Sequence, residues 1–360
     1  MFNEDEWALI WFDYNDYNFA KVEQILLKFD SIGDIFNKEL IKNAVFDKKS
    51  FPELKDKLLN LDFEKFADSV LNQFYKHNIS AVTFVSKNYP EKLKTIDQPP
   101  LVLYTKGDQS LLNKKSISVV GTRKPTDYGK IVCEKFVKEL SGVGLVTVSG
   151  LAYGIDTIVA ETSLGVGAKT IAVLAGGLDC VYPSQNKDLA RRIAENGLLV
   201  TEQRLGIKPL QYLFVNRNRI VSGLGLGTLI VEAGEGSGTM TTARFAIEQS
   251  RELFVVPGNI YSVQSKGTNA LIDEIPDTFT ISPNRILERL KIQKKQEKVV
   301  TAQVDILEAK ILDALENGEL SFDDLADITK ISSAELSSKL IQMEMFGFVK
   351  KGNANTYYKL

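Results

Sequence analysis

The stretch Leu145-Val146-Thr147-Val148-Ser149-Gly150-Leu151-Ala152-Tyr153-Gly154-Ile155-Asp156 decides the fold. A short run of apolar and β-branched residues enters a glycine-containing turn, and a helical pattern over 155–164 follows. The same unit recurs on both sides of it. Apolar runs at 117–120, 170–174, 198–200, 228–231 and 253–256 alternate with helical patterns at 128–140, 187–196 and 241–250. Such alternation predicts the α/β class, a doubly wound, mostly parallel sheet with right-handed crossovers.

Away from this centre the pattern changes. Residues 1–80 predict a helical domain, with Val22, Ile25, Leu26 and Phe29 on one helical face and Phe66, Val70 and Phe74 on another. It is either helix-hairpin-helix/SAM-like or a plain packing module, and the scarcity of basic residues at its turns favours the second. Ala81-Val82-Thr83-Phe84 and Leu101-Val102-Leu103-Tyr104 lead into the main sheet domain, which spans 81–283. Residues 284–303, including Lys291-Ile292-Gln293-Lys294-Lys295-Gln296, read as a linker. Residues 304–360 predict a winged helix. Its first helix spans 305–316, and Ser321 caps a second with Asp323 and Asp324 in the first turn. A third runs from Ser332 or Ser333 to Met345, and a β-wing from Gly347 to Tyr358 turns at Gly352-Asn353.

At 360 residues and 44% hydrophobic content the chain has ample material for a core. No window offers the ~18 apolar residues of a membrane span, and the acidic start Met1-Phe2-Asn3-Glu4-Asp5-Glu6 is unlike a basic signal peptide. Two cysteines, Cys133 and Cys180, and one histidine, His77, exclude a disulfide framework or a multi-His/Cys metal site. These features predict a reduced, cytoplasmic protein without a membrane partner. The net charge of −2 hides an asymmetry. Residues 1–110 carry −4, 111–290 carry +3 and 291–360 carry −1, and all ten arginines fall in the middle segment. Arginine is the better bidentate phosphate ligand, so the middle segment is expected to handle an anion.

In an open parallel sheet, ligands bind outside the carboxyl ends of the strands. Four strand ends carry glycine turns: Gly121-Thr122-Arg123, Ser149-Gly150-Leu151, Ala175-Gly176-Gly177-Leu178-Asp179 and Gly234-Glu235-Gly236-Ser237-Gly238-Thr239. Glycine lets backbone N–H groups approach an anion. None of the turns is a Walker or dinucleotide fingerprint, which disfavours ATP hydrolysis and NAD chemistry. In Phe214-Val215-Asn216-Arg217-Asn218-Arg219 an extended strand or turn would place both guanidiniums on one side. Tyr182-Pro183-Ser184-Gln185-Asn186 adds an aromatic and an amide. Aromatic rings, arginine and backbone N–H groups together make the inventory of a single-strand binder. The expected nucleic-acid contacts are Gly121, Thr122, Arg123, Lys124, Ser149, Gly150, Leu151, Ser184, Asn186, Lys187, Arg217, Asn218, Arg219, Gly236, Ser237, Gly238, Thr239 and Lys266. With roughly four to six phosphates neutralised, log K would fall by about 0.7 per phosphate with log salt. Catalysis has little support: His77 lies in a helical segment, Cys133 at an apolar helix position, and Asp156, Asp179, Glu202 and Glu232 are explained as well by capping or by orienting arginines. No cofactor and no metal is expected.

These motifs together resemble the DNA-processing protein A family (DprA, also called Smf). The likeness runs from about residue 80 to 275. It covers Tyr89-Pro90, Pro99-Pro100, Val119-Val120-Gly121-Thr122-Arg123, Ser149-Gly150-Leu151-Ala152 with Gly154-Ile155-Asp156, Gly177-Leu178-Asp179 and Tyr182-Pro183. It continues through Arg217-Asn218-Arg219-Ile220, Val231-Glu232-Ala233, Ser237-Gly238-Thr239, Thr242-Ala243-Arg244, Val256-Pro257-Gly258-Asn259 and Gly267-Thr268-Asn269. The resemblance implies an extended Rossmann-like domain that binds single-stranded DNA without a cofactor, a homodimer, and delivery of incoming strands to the RecA recombinase during natural transformation. The sequence departs from the family pattern at Ala160-Glu161, where a histidine is usual, at Ser184, where a basic residue is common and Lys187 stands nearby, and at Phe214-Val215 in place of Phe-Pro. Two other readings compete. Val231-Glu232 with Gly236, Gly238 and Thr239 is also similar to the turn of nucleotide-processing phosphoribohydrolases, where Glu232 and an arginine would promote loss of a base from a nucleoside monophosphate. A winged-helix regulator of duplex DNA would bind through 304–360. There the third helix sets Lys339 against Glu335 and Glu344, so this module is not expected to drive DNA affinity.

Overall fold

The apolar runs of the middle segment form the strands of one eight-stranded sheet in the computed structural model, which describes residues 2–47, 49–51, 53–293, 306–345, 348–352 and 355–359. The strands are β1 (Ser80–Thr83), β2 (Val102–Gly107), β3 (Ser116–Val120), β4 (Val146–Ser149), β5 (Thr170–Val173), β6 (Leu198–Thr201), β7 (Gly227–Ile230) and β8 (Glu252–Val255). Their order is β1-β2-β6-β5-β4-β3-β7-β8. β3 to β8 pair in parallel, whereas β2 runs antiparallel to both β1 and β6. From β3 the chain winds outward through β4, β5 and β6, then returns to add β7 and β8 on the other side. Ser118 of β3 thus lies opposite Val148 on one flank and Thr228 on the other. This is a doubly wound, extended Rossmann-like sheet, and its strand order reverses at β3 and β7, where such sheets accept ligands.

Both faces are covered, which is why the strands lack polar alternation. On one face Val146, Val148, Ile171 and Val173 pack with Ile220, Val221 and Leu224 of helix Gln211–Leu224 and with Ala243 and Ala246 of helix Gly238–Glu248. On the other, Ile117, Val119 and Leu229 pack with Cys133, Phe136 and Val137 of helix Asp127–Gly142 and Ile155 and Val159 of helix Ile155–Gly165. Helix Gln211–Leu224 ends on two strand hydroxyls. Ser118 Oγ donates to Val221 O at 2.6 Å and Ser116 Oγ to Leu224 O at 2.7 Å, which satisfies carbonyls that a helix end leaves open. This fixes the helix that carries Arg217, Asn218 and Arg219. It also corrects the extended geometry expected for that segment.

The N-terminal helices begin with Glu4–Tyr14, started by a capping box between Asn3 and Glu6. Its Trp7, Trp11 and Phe12 share one buried cluster with Tyr104 of β2 and Leu199 of β6. Tyr104 Oη donates to the Asp13 carboxylate at 2.7 Å, and Arg204 Nη1 to Tyr14 O at 2.5 Å. The helices before residue 80 thus pack on the sheet domain, and the compact units of the molecule are Met1–Gln293 and Lys294–Leu360. The expected linker begins too early. Pro283–Arg289 is a helix whose Ile286 and Leu287 are buried against the sheet, while the linker's residues 294–303 lie outside the described residues.

The second unit is a winged helix with its own core, which includes Ile311, Leu325, Leu336, Leu340, Val349 and Tyr357. Its helices are Ile306–Ala314, Phe322–Thr329 and Ser333–Met345, and its small antiparallel sheet joins Leu320–Ser321, Val349–Lys351 and Thr356–Lys359. Ser321 caps the second helix by accepting from Asp324 N at 3.1 Å. Asp305, Gly347 and Asn353, which the sequence placed at the first helix and in the wing, lie outside the described residues. No helix among the described residues is long and apolar enough to cross a membrane.

Candidate nucleic-acid interface

The carboxyl ends of β3, β4 and β7, with the segment after β8, enclose an open cavity of about 1010 Å³. Its lining includes Gly121, Thr122, Arg123 and Lys124 after β3, Gly150 and Ala152 after β4, and Gly234 to Thr239 after β7. Phe214, Val215, Arg217 and Asn218 enter from helix Gln211–Leu224, and Val263, Gln264 and Lys266 close the far side. Arg123, Lys124 and Lys266 are exposed, and the exposed acid on this lining is Glu235. The Arg123 guanidinium sits over the Phe214 ring at 5.6 Å, and Tyr182 meets the same ring edge-on at 5.5 Å. A cation and two rings thus share one ledge. Across the cavity, Ser237 caps helix Gly238–Glu248 by accepting from Thr239 N at 3.3 Å. The amides of Gly236 and Gly238 have no acceptor within the chain among the described residues. They lie at the positive end of the helix.

Beneath this open rim the turns are held by buried polar groups. Arg217 is only 5% exposed. Its Nη1 donates to Gly150 O at 2.5 Å and also to Val173 O, while Nε donates to Asn218 Oδ1 at 3.1 Å. Asp156 is buried nearby and accepts from Gly150 N at 3.1 Å and Ala152 N at 3.3 Å. Burial pushes the Asp156 carboxyl up, and the Arg217 charge opposes that rise. Burial also brings Arg217 down to about 10, so it stays charged at neutral pH. Gly150 must be glycine for this arrangement, since a Cβ there would lie 2.5 Å from the Arg217 guanidinium. Gly154, at φ +78°, passes so close to the first turn that its Cβ would meet Thr122 O at 2.4 Å. Glu232, 2% exposed, accepts from Thr126 N at 2.9 Å and Thr126 Oγ1 at 2.7 Å and braces the start of helix Asp127–Gly142.

Twelve of the residues expected to touch DNA line the cavity: Gly121, Thr122, Arg123, Lys124, Gly150, Arg217, Asn218, Gly236, Ser237, Gly238, Thr239 and Lys266. The other six lie elsewhere. Arg219 is two residues beyond Arg217 on a helix, not a strand, so it turns away and pairs with Glu202. Ser149 Oγ donates to Val119 O at 2.8 Å inside the sheet, and Leu151 is buried in the core. Asn186 is buried and donates to Leu151 O at 3.0 Å, propping the turn from behind. Ser184 bonds Gln185, and Lys187 lines a separate hollow with Asp179 and Arg191. The turn 175–179 also leaves the crest, because Gly177 N donates to Ile207 O at 2.9 Å and the following loop covers it. Phe214 was the site residue least visible as such. Leu213, Arg217, Ile220, Val221 and Leu224 are buried at helical spacing, and that spacing places Phe214 on the helix flank beside the cavity. Neither thiol is poised for chemistry: burial raises the pKa of both Cys133 and the half-buried Cys180. Among the described residues no group of three or more His, Cys, Asp or Glu could hold a metal ion.

A family model described as DNA recombination-mediator protein A matches residues 80–291, and one described as the DprA winged helix domain matches 295–353. The chain belongs to the DprA/Smf family. Its relatives in that family include the DNA processing protein DprA of Bacillus subtilis, 40% identical over 226 residues, which cover 62% of this chain and 76% of that one. The X-ray structure of DprA from Streptococcus pneumoniae superposes with a TM-score of 0.61 at 32% identity, covering 70% of this chain and 85% of that one. DNA processing protein A from Helicobacter pylori, whose structure reports a single-stranded DNA binding mode, matches with a TM-score of 0.54 at 32% identity, covering 59% of this chain and 95% of that one.

Proposed function

We propose that this chain binds single-stranded DNA along the crest of its sheet, catalyses no reaction on it, and passes the strand to the RecA recombinase as a homodimer during natural transformation. The observation that carries the binding is the open cavity where Arg123 lies over Phe214, Lys124 and Lys266 stand at the rim, and the amides of Gly236 and Gly238 point free. Cations and amides suit successive phosphates, while Phe214 and Tyr182 offer rings on which bases stack. The hand-over to RecA, the homodimer and the setting in transformation rest on membership of the DprA/Smf family. The non-catalytic reading is supported by Glu232 and Asp156, whose carboxylates are both taken up in holding turns.

Arg217 and Arg219 are engaged inside the protein, so three rim cations remain: Arg123, Lys124 and Lys266. At about 0.7 per phosphate on a single strand, log K should fall with log salt at a slope of about −2. Fluorescence anisotropy of the full chain with labelled single-stranded and duplex oligonucleotides, across a salt series, tests this. The expected result is a preference for the single strand, a slope near −2, and a slope shallower by about 0.7 in Arg123→Ala. Equal affinity for duplex, or an affinity indifferent to salt, would overturn the proposal. Release of a free base from AMP, lost in Glu232→Gln, would favour the phosphoribohydrolase reading instead.

A further inference from the structure

The segment that follows β8 closes one side of the cavity with Val263, Gln264 and Lys266. From Ile260 to Val263 this segment presents three apolar side chains largely to water: Ile260 is 73% exposed, Tyr261 88% and Val263 66%. Large apolar groups left open this close together mark a surface meant to be covered. The backbone beneath them is firmly braced. Asn269 bonds both the N–H and the C=O of Gly258, at 3.0 and 3.1 Å. Tyr128 Oη donates to Pro257 O at 2.8 Å. Asn259 Oδ1 accepts from Tyr261 N at 2.9 Å, Ser262 N donates to Asn259 O at 2.9 Å, and Thr122 Oγ1 donates to Gln264 Oε1 at 3.1 Å. The loop is thus tied to the β3 turn that carries Arg123 and Lys124, and its aromatic ring is outside.

Its neighbours decide what covers it. Val263 belongs both to this exposed trio and to the cavity lining, so the two surfaces are continuous. Two rim cations flank it, Lys266 within the same segment and Lys124 in the turn to which the loop is bonded, and one rim acid, Glu235, follows the Gly234 backbone that abuts Val263 O. An aromatic ring continuous with a cavity rimmed by Arg123, Lys124 and Lys266 suits the bases of a strand that runs on past the cavity. Tyrosine offers a large flat face with few rotatable bonds to freeze.

We infer that Tyr261 is a second stacking platform, with Ile260 and Val263 as its apolar flanks, and that it takes unpaired nucleobases of the same strand beyond those held at the Phe214 ledge. This rests on the reading of the crest as a single-strand site. The footprint is therefore longer than the cavity, and the two ends differ in kind: the Arg123 end holds phosphate and ring together, whereas the Tyr261 end adds mostly stacking.

The test is a length series of oligo-dT against the full-length parent, Tyr261→Ala and Tyr261→Phe. For strands long enough to leave the cavity, Tyr261→Ala should weaken binding about tenfold, the scale of one lost base–aromatic stack. The slope of log K against log salt should stay as in the parent, and Tyr261→Phe should bind like the parent. The shortest strands that still bind should not distinguish the three proteins. Equal binding of long strands by Tyr261→Ala and parent would overturn the inference and leave the crest reading intact. A changed salt slope, an equal loss on strands of every length, or a smaller particle by light scattering without DNA would also overturn it, the last by making the patch a contact between copies. Failure of the parent to bind any strand would remove the crest reading and this inference with it.

Discussion

Arg217→Met separates the two roles that an arginine at this position can have. Methionine is flexible and fills much of the same space, so the change removes the charge and the fork with little loss of packing. The guanidinium supplies donors to Gly150 O and Val173 O and is the positive charge facing the buried Asp156. A hydrogen bond from a charged donor contributes roughly 1.5–3 kcal/mol, and removing one partner from a buried charge pair costs about 3–5 kcal/mol. These overlap, because one side chain makes both, so the expected loss is about 4 kcal/mol of folding stability. Equilibrium urea unfolding followed by tryptophan fluorescence measures it, since Trp7 and Trp11 are buried in a cluster that includes residues of the sheet. Adding Asp156→Asn removes the stranded charge, so the double variant should be more stable than the sum of the two single losses predicts. A variant within ~1 kcal/mol of the parent, with a salt slope for DNA shallower by about 0.7, would refute the reasoning, because it would show Arg217 spending its charge on phosphate.

Burial pushes the Asp13 carboxyl from its ordinary 3.8 up to about 7, against the opposing effect of the Tyr104 hydrogen bond. Between those values the folded chain keeps a proton that the unfolded chain has lost, so stability falls as pH rises through that window, by ~4 kcal/mol in all. Asp13→Asn should lose that slope and be the more stable protein above pH 7; superimposable urea midpoints for the two proteins from pH 4 to 8 would contradict this. Gly154→Ala forces a side chain onto φ +78° and into Thr122 O, and should cost about 2 kcal/mol or more. An unchanged thermal midpoint would show that the β3 and β4 turns can separate at little cost.

The strands of the sheet were legible because both of its faces are buried. Runs such as Thr170–Val173 and Leu198–Thr201 needed apolar or β-branched residues at every position, and a short unbroken run bounded by glycine has few other readings. The glycine turns were legible as a crest, but not what their amides do. Gly150 N and Ala152 N serve Asp156, six and four residues along, and only the packed structure shows that those donors are already engaged. Helix Gln211–Leu224 was hidden by Arg217. It occupies a place in the apolar stripe between Leu213 and Ile220, so the stripe looked broken and Arg-Asn-Arg looked like an extended segment with both guanidiniums on one side. The packing of the first helices on the sheet was hidden for a related reason. A run of amphipathic helices has the composition of a free-standing module whether its apolar faces meet one another or, like Trp7 and Phe12, cluster with residues of a sheet.

That shared cluster has a consequence for how the gene can be remodelled. A polypeptide begun at Ser80 would lay bare the greasy flank of Tyr104 and Leu199 and strip Arg204 of its contact with Tyr14. The winged helix closes around Ile311, Leu325 and Leu336 as a compact unit with an interior of its own. A unit with its own interior is one that recombination can move as a cassette, whereas the first helices share theirs with the sheet.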